Sequence, residues 1–283
     1  MVLRKGFGMA DQQTGRLNTA ATVFGLGSIP IDFTRAAILR LMDDGVLDLS
    51  DKIGVFFPGV PAEKSSMTLR HLMTHQSGLP NFHHHPELDD DFDLTWIDRN
   101  EAVQRILNQP LLFAPGSEKL PSHSAFVLLA AVVEVVSGQS YANYLTNTFF
   151  EPIGMRKTGF YGDKTRFEEK EMAVGYGASQ VGEKNMPIYW GPTSWLIMGS
   201  GGMVSTVDDL YAWIKAMYSG KYLSAEAMDV FGRKGRAGGI SDRGFLVNFA
   251  RSADTTLIYM TNAHSQEGDL SMAIGAALME MAN

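Results

Sequence analysis

Apolar side chains recur at helical spacing through most of the chain. Residues 33–44 carry them on one stripe, and Gly45 follows where a helix end favours a residue free to adopt positive φ. Residues 125–136 are apolar on nearly every side, which is typical of a buried helix. Residues 206–218 place apolar side chains on one face after a cap-like Thr206. The pattern therefore predicts three substantial helices, the middle one buried.

The period changes towards the end of the chain. Residues 245–250 and 255–261 are strand-like runs separated by Arg-Ser-Ala-Asp, which predicts a hairpin. The remaining predicted elements are a strand running into a turn over 2–11, a short helix over 69–74, an acidic loop over 83–93, a helix over 140–150 that ends before Pro152, and an amphipathic helix over 270–281. This order indicates an α+β fold with antiparallel strands from both chain ends and a helical middle.

Composition excludes several classes of function. The chain has 283 residues, no cysteine, and a net charge of −7. The acidic balance argues against sequence-independent nucleic-acid binding, and the lack of cysteine excludes disulfides and thiolate chemistry. No apolar run approaches the ~18–20 residues that span a bilayer. We expect a soluble protein with no signal peptide in the chain as given, either cytoplasmic or exported from a longer precursor, and no cofactor.

Histidines suggest a metal site only superficially. His83, His84 and His85 are adjacent, so their side chains diverge and cannot easily share one ion. His71 and His75 stand at helical spacing, but no carboxylate follows at a suitable distance in the sequence. We expect an exposed polar loop and two structural histidines, and no functional metal.

Residues 27–39 read GSIPIDFTRAAIL, and this segment resembles G-S-x-S-K-x-F-T-x-A-A-I of the serine β-lactamase-like family, which comprises class C β-lactamases, penicillin-binding proteins, DD-peptidases and related esterases. Residues 72–80, LMTHQSGLP, are similar to the family's L-L-T-H-T-S-G-L-P. Matches continue in order through residues 150–155 and 201–210. The resemblance covers nearly the whole chain.

The resemblance implies one domain over residues 1–283 with a β-lactamase/transpeptidase-like fold, in which terminal helices flank an antiparallel sheet and a mainly helical segment is inserted. It divides the chain into an α/β subdomain over about 1–55 and 200–283 and a helical subdomain over about 56–199.

The same resemblance shows where the catalytic motifs depart from the family. Ser28 stands at the nucleophile position, but Ile31 replaces the lysine that helps to deprotonate it. Pro121 and His123 stand where the family's Y-x-N motif has tyrosine and asparagine, and Arg236 begins the third motif in place of lysine or histidine. Isoleucine and proline cannot accept a proton, so little acylation of Ser28 by the family mechanism is expected.

The parts of the cleft that hold a ligand are retained in the sequence. Arg236 can pair with a carboxylate, and two glycines in the third motif allow close backbone approach. The residues that the resemblance places along the cleft for ligand binding are Arg236, Gly238, Gly239, Ser122, Tyr189 and Trp190.

Three interpretations remain open. The chain is a non-catalytic binding relative of the hydrolases, a serine esterase or amidase that uses Ser28 with a substitute base such as His123, or an engineered or decayed copy kept only for its fold. Lys119 is a weaker candidate for the substitute base. The ligand implied by the first two is a small ester, amide or peptide-like molecule.

Two departures concern the sheet. Family members usually have a helix and a strand before the segment that here reads KGFG, and a longer stretch than the one between Tyr222 and Arg236. We therefore expect a sheet with an exposed edge, and exposed edges favour pairing with a second chain. A homo-oligomer is the predicted consequence.

Overall fold

The computed structural model describes residues 3–81, 95–177, 184–232, 235–240, 243–251 and 255–263, together with Ala273 and Ala277. The helices are α1 (Pro30–Asp43), α2 (Leu69–Met73), α3 (Arg99–Asn108), α4 (His123–Ser137), α5 (Tyr141–Leu145), α6 (Glu151–Ile153), α7 (Val207–Met217) and α8 (Ala225–Phe231). The strands are β1 (Met9–Asp11), β2 (Arg16–Leu17), β3 (Phe24–Gly25), β4 (Gly159–Phe160), β5 (Met203–Ser205), β6 (Gly235–Ile240), β7 (Phe245–Arg251) and β8 (Thr256–Thr261).

Helix α4 forms the centre of the core. The Ser122 side chain caps its first turn by accepting a hydrogen bond from the Ala125 N–H, and Gly138 ends it with φ of 67°. Every residue from Ser124 to Val133 is buried, which confirms the prediction of a buried helix. Helices α1, α2, α3 and α5 pack around α4.

Helix α1 begins earlier than its apolar stripe suggested. Pro30 starts it, because a proline in the first turn needs no N–H and already has helical φ. Gly45 follows the helix with φ of 69°, as predicted. The predicted helix over 206–218 is also confirmed, with the Thr206 side chain accepting from the Asp209 N–H at the start of α7.

The prediction that a helix ends before Pro152 was wrong. A π-helical turn, Thr146–Phe150, joins α5 to α6, so the chain stays helical as far as Ile153. Pro152 lies in the first turn of α6, where its missing N–H costs little. The sequence pattern also missed α3 and α8.

The strands form three small antiparallel sheets within the described residues. Strand β1 pairs with β2, the order β3-β5-β4 makes the second sheet, and β6-β7-β8 makes the third. The predicted hairpin is confirmed as β7 and β8, with Leu246 opposite Thr261 and Arg251 opposite Thr256. The strand predicted over 2–11 is a strand at Met9–Asp11 alone within the described residues 3–11.

Taken together, the antiparallel sheets and the helices confirm the α+β class. The helix predicted over 270–281 lies outside the described residues, apart from Ala273 and Ala277, which are helical.

No single helix in the described part of the chain is long and apolar enough to cross a membrane. One bent pair, α4 with the helical segment Tyr141–Ile153, passes that test by length and composition only.

We predict that the core around α4 sets the stability of the fold. Leu128→Ala removes a fully buried side chain from α4, and it should lower the free energy of unfolding by about 2–5 kcal/mol through lost transfer energy and the cavity left behind. Urea denaturation followed by circular dichroism measures this. Val135→Ala in the same helix is the control, because Val135 is 45% exposed. Equal effects of the two changes would contradict this account of the core.

Candidate active site

Ser28 lies between the end of β3 and the start of α1. The chain turns sharply there, with the Ile29 N–H donating to the Leu26 carbonyl and the Ile31 N–H donating to the Ser28 carbonyl, both at 3.3 Å. Ser28 itself is half-buried. A side chain placed before the first turn of a helix faces N–H groups that lack acceptors within the helix, so this position favours a carbonyl oxygen or an anion.

Strand β6 runs directly against this turn. A Cβ atom added at Gly238 would lie 2.7 Å from both the Leu26 oxygen and the Ser28 nitrogen, and one added at Gly27 would lie 2.4 Å from the Gly239 nitrogen. Gly27 also has φ of 55°, which disfavours any other residue. Two backbone segments therefore meet closely beside Ser28.

Ile31 is the second residue of α1 and stands three residues after Ser28, where the family resemblance expects a lysine. It is 3% exposed. One turn further along the same face lies Arg35, which is 5% exposed. Its guanidinium donates to the Met73 carbonyl at 2.7 Å and lies 5.5 Å from the centroid of the Phe126 ring. Arg35 thus connects α1 to α2 and α4.

The segment that precedes α4 is held firmly against residues 75–80. The Leu120 N–H donates to the His75 carbonyl at 2.9 Å, and the Ser122 N–H donates to His75 Nδ1 at 3.4 Å. The hydroxyls of Ser122 and Ser124 both donate to the Pro80 carbonyl, at 3.4 and 2.9 Å. Hydrogen bonds therefore anchor the segment that carries Pro121, the residue for which the family resemblance expects a tyrosine.

Pro121 and His123 lie on this anchored segment. Pro121 is exposed, and His123 is the half-buried first residue of α4. Among the residues that the structure describes, no side chain hydrogen-bonds the Ser28 hydroxyl, and this includes His123. Lys119, the weaker candidate, is exposed.

The other predicted ligand-binding residues differ in how exposed their side chains are. Arg236 lies in β6 opposite Phe249, and its side chain lies outside what the structure describes. Trp190 is buried: its ring packs edge-on against Tyr161 at 4.9 Å, and the Arg243 guanidinium lies 4.6 Å from its centroid. Trp190 therefore holds its loop in place. Tyr189 is 37% exposed, and its hydroxyl donates to Glu169 at 2.6 Å.

His71 and His75 both take part in contacts that hold the fold. His71 completes a capping box at the start of α2, and burial lowers the pKa of its imidazole. His75 adopts φ of 62° and accepts the hydrogen bond from Ser122. The described part of the chain contains no group of three or more His, Cys, Asp or Glu side chains able to hold a metal ion, and His83, His84 and His85 lie outside it.

Sequence reasoning missed two residues that shape this region. Arg35 stands at a position where the family motif accepts any residue, so the motif could not reveal it. His75 lies within the segment LMTHQSGLP, which is similar to the family block, and its presence there was the available signal. Its role as an anchor for residues 120–122 required the tertiary structure.

Comparisons with known proteins agree on one family. A family model described as Beta-lactamase matches residues 1–267. Penicillin-binding protein 4* of Bacillus subtilis is 29% identical over 236 residues, which are 77% of this chain and 50% of that protein. The chain thus spans half the length of this curated relative.

Solved structures show the same fold at lower identity. A penicillin-binding protein from Bacillus halodurans superposes with a TM-score of 0.78 and 22% identity, covering 96% of this chain and 90% of that one. The octameric penicillin-binding protein homologue from Pyrococcus abyssi superposes with a TM-score of 0.75 and 20% identity, covering 99% of this chain and 71% of that one.

We predict that the close contact between β6 and the turn at Ser28 tolerates no side chain. Gly238→Ala would drive a Cβ against backbone atoms on both sides, and it should lower the free energy of unfolding by about 1–3 kcal/mol, as overpacking does. Gly54→Ala is the matched control, because nothing lies within 4 Å of a Cβ added there. Thermal denaturation of both variants tests this, and a Gly238→Ala protein as stable as the control would show that the contact is not close.

Proposed function

Since the chain belongs to the beta-lactamase family, we propose that it is a binding relative of the family's serine hydrolases that has lost their catalytic proton transfers. The observation that carries this proposal is the environment of Ser28. The turn, the helix start and the adjoining glycines of β6 are all present, yet Ile31 is buried where a base would stand.

The chemistry of acyl transfer explains why this matters. A serine hydroxyl is a weak nucleophile unless a neighbouring group takes its proton. Removal of one positioned acid or base typically costs about 10²–10⁴ in rate, and further losses within the same unit add little. The lysine and tyrosine positions both hold side chains that cannot exchange a proton, Ile31 and Pro121.

A ligand can still be held at this place. The N–H groups beside Ser28 and in β6 suit the carbonyl oxygen of a small ester, amide or peptide-like molecule, with the Ser28 hydroxyl as an additional donor. Arg236, at the start of the third motif, would pair with a carboxylate of the same ligand.

The alternative is a serine esterase or amidase with His123 as base. Its support is the position of His123, half-buried at the start of α4 on a segment anchored to His75 and Pro80. An imidazole is an effective base near neutral pH. This alternative needs a movement that brings His123 and Ser28 into contact.

We predict no Ser28-dependent turnover. Wild type and Ser28→Ala should hydrolyse nitrocefin and a p-nitrophenyl ester at the same background rate, and neither should be labelled by a fluorescent penicillin or a fluorophosphonate. Wild-type activity that Ser28→Ala abolishes would contradict the proposal. If His123→Ala also abolishes that activity, the alternative is established.

A gain-of-function variant tests the same idea from the other side. The combination Ile31→Lys, Pro121→Tyr and His123→Asn restores the three lost groups on a backbone that still presents them. It should acquire penicillin labelling that disappears when Ser28→Ala is added. If the triple variant is folded by circular dichroism but is not labelled, the cleft has lost more than its proton-transfer groups.

We propose further that the chain self-associates through β8. This strand is the last of its sheet within the described residues, and its sequence, TLIYMT, has neither charge nor proline to block an edge. Light scattering should show a dimer or larger species that dissociates in Leu257→Lys, a half-buried position of β8 outside the core cluster, but not in Tyr211→Lys on the exposed face of α7. A wild type that is monomeric at every concentration would exclude this interface.

A further inference from the structure

Three large apolar side chains are exposed together on and beside the hairpin that β1 and β2 form. Phe7 is 66% exposed, Met9 45% and Leu17 63%. Met9 pairs with Leu17 across the hairpin, so their side chains lie on one face. The Asn18 side chain donates to the Phe7 carbonyl at 3.2 Å, which places Phe7 beside this pair. We call the three residues the hairpin patch. A single exposed apolar side chain is ordinary, whereas a cluster of them marks an interaction surface.

The hairpin is held firmly on the body of the protein. The Val174 N–H donates to the Ala10 carbonyl at 2.7 Å, and the Asn262 side chain donates to the Met9 and Val174 carbonyls at 3.1 and 2.8 Å. Ala10 is fully buried, so alternation along β1 turns Met9 outward. The hairpin patch is therefore presented to solvent on a fixed support.

The charged side chains of this region are mostly basic. Those of residues 3–19 are Arg4, Lys5, Arg16 and Asp11. The carboxylate of Asp11 is poorly placed to repel an anion, because Asp11 is 3% exposed. It also accepts from Lys184 at 3.4 Å, and Lys184 donates to Glu169 at 2.6 Å. The one carboxylate of the hairpin is thus buried and paired.

Two of the basic groups keep their charge. Arg4 is paired, since its Nε donates to Asp208 at 2.7 Å. No carboxylate of the described residues forms an ion pair with Lys5 or Arg16. The Lys5 ammonium lies 5.1 Å from the centroid of the Phe7 ring, at the hairpin patch itself. Because the whole chain has a net charge of −7, the hairpin is a positive, apolar region on an acidic protein.

We propose that the hairpin patch binds the surface of an anionic lipid bilayer. The three apolar side chains enter the boundary between headgroups and acyl chains, and Lys5 and Arg16 face the negative headgroups. A second copy of this chain fits the patch less well, because it would bring like charges together. Binding at the bilayer surface needs no membrane-spanning segment. It does not involve Ser28, so it stands independently of the function proposed above.

Co-sedimentation with lipid vesicles tests the proposal. Wild type should pellet with vesicles of phosphatidylglycerol and phosphatidylcholine in equal parts, and only weakly with phosphatidylcholine alone, because the basic side chains are attracted by the headgroup charge. Lys5→Gln should weaken binding to the mixed vesicles about fivefold, the effect of one basic side chain near an anionic membrane. Added salt should weaken wild-type binding in the same direction.

The apolar part of the patch has a matched control elsewhere on the surface. Phe7→Ser should weaken binding to the mixed vesicles at least about tenfold, because the ring no longer leaves water on binding. Val55→Ser should leave binding unchanged. Val55 is 72% exposed on a short turn, Ile53–Val55, whose backbone bonds to Met67 and not to the hairpin. Circular dichroism shows whether both variants stay folded, and equal losses in the two would overturn the proposal.

Two further measurements separate this surface from the other sites of the protein. Ser28→Ala should bind vesicles as wild type does, so failure of the hydrolase-relative proposal and failure of this one are distinguishable. If Phe7→Ser dissociates an oligomer in light scattering and leaves vesicle binding unchanged, the patch is a contact between copies and the proposal fails. Wild type that does not pellet with the mixed vesicles, or that pellets equally with both kinds, would also overturn it.

Discussion

The close approach of two glycine-bearing backbone segments determines the site and much of the fold around it. Residues 26–29 and 238–239 are far apart in the chain, yet they meet without room for a Cβ atom on either side. This contact holds strand β6 against the start of α1, so the sheet and the core helix share one boundary. Because it is made by backbone atoms, it survives changes of the side chains that would carry out chemistry there.

The helical side of the cleft is stabilised by equally local means. His75 and Pro80 bind the segment before α4 through hydrogen bonds, and Arg35 links α1 to α2 and α4. None of these contacts requires a lysine at position 31 or a tyrosine at position 121. The packing around Ser28 is therefore compatible with the side chains that stand at positions 31 and 121.

The elements that the sequence predicted are those with a strong repeating pattern. α1, α4, α7 and the β7–β8 hairpin each have enough apolar positions for the period to be read. Strands β3, β4 and β5 have two or three residues each, too few to show alternation. Helix α3 has a polar sequence overall, and the π turn after α5 arises from packing that no local pattern reports.

For the candidate site, the sequence by itself determined which residue types stand at the motif positions, and hence that Ile31 and Pro121 cannot move a proton. The family resemblance also placed Ser28, Gly238 and Gly239 in one cleft. Only the tertiary structure decided how near they come, that Trp190 is buried while Tyr189 faces outward, and that Arg35 of α1 is buried. The reason is physical: motif order records which groups are available, whereas distance and burial depend on how segments far apart in the chain pack together.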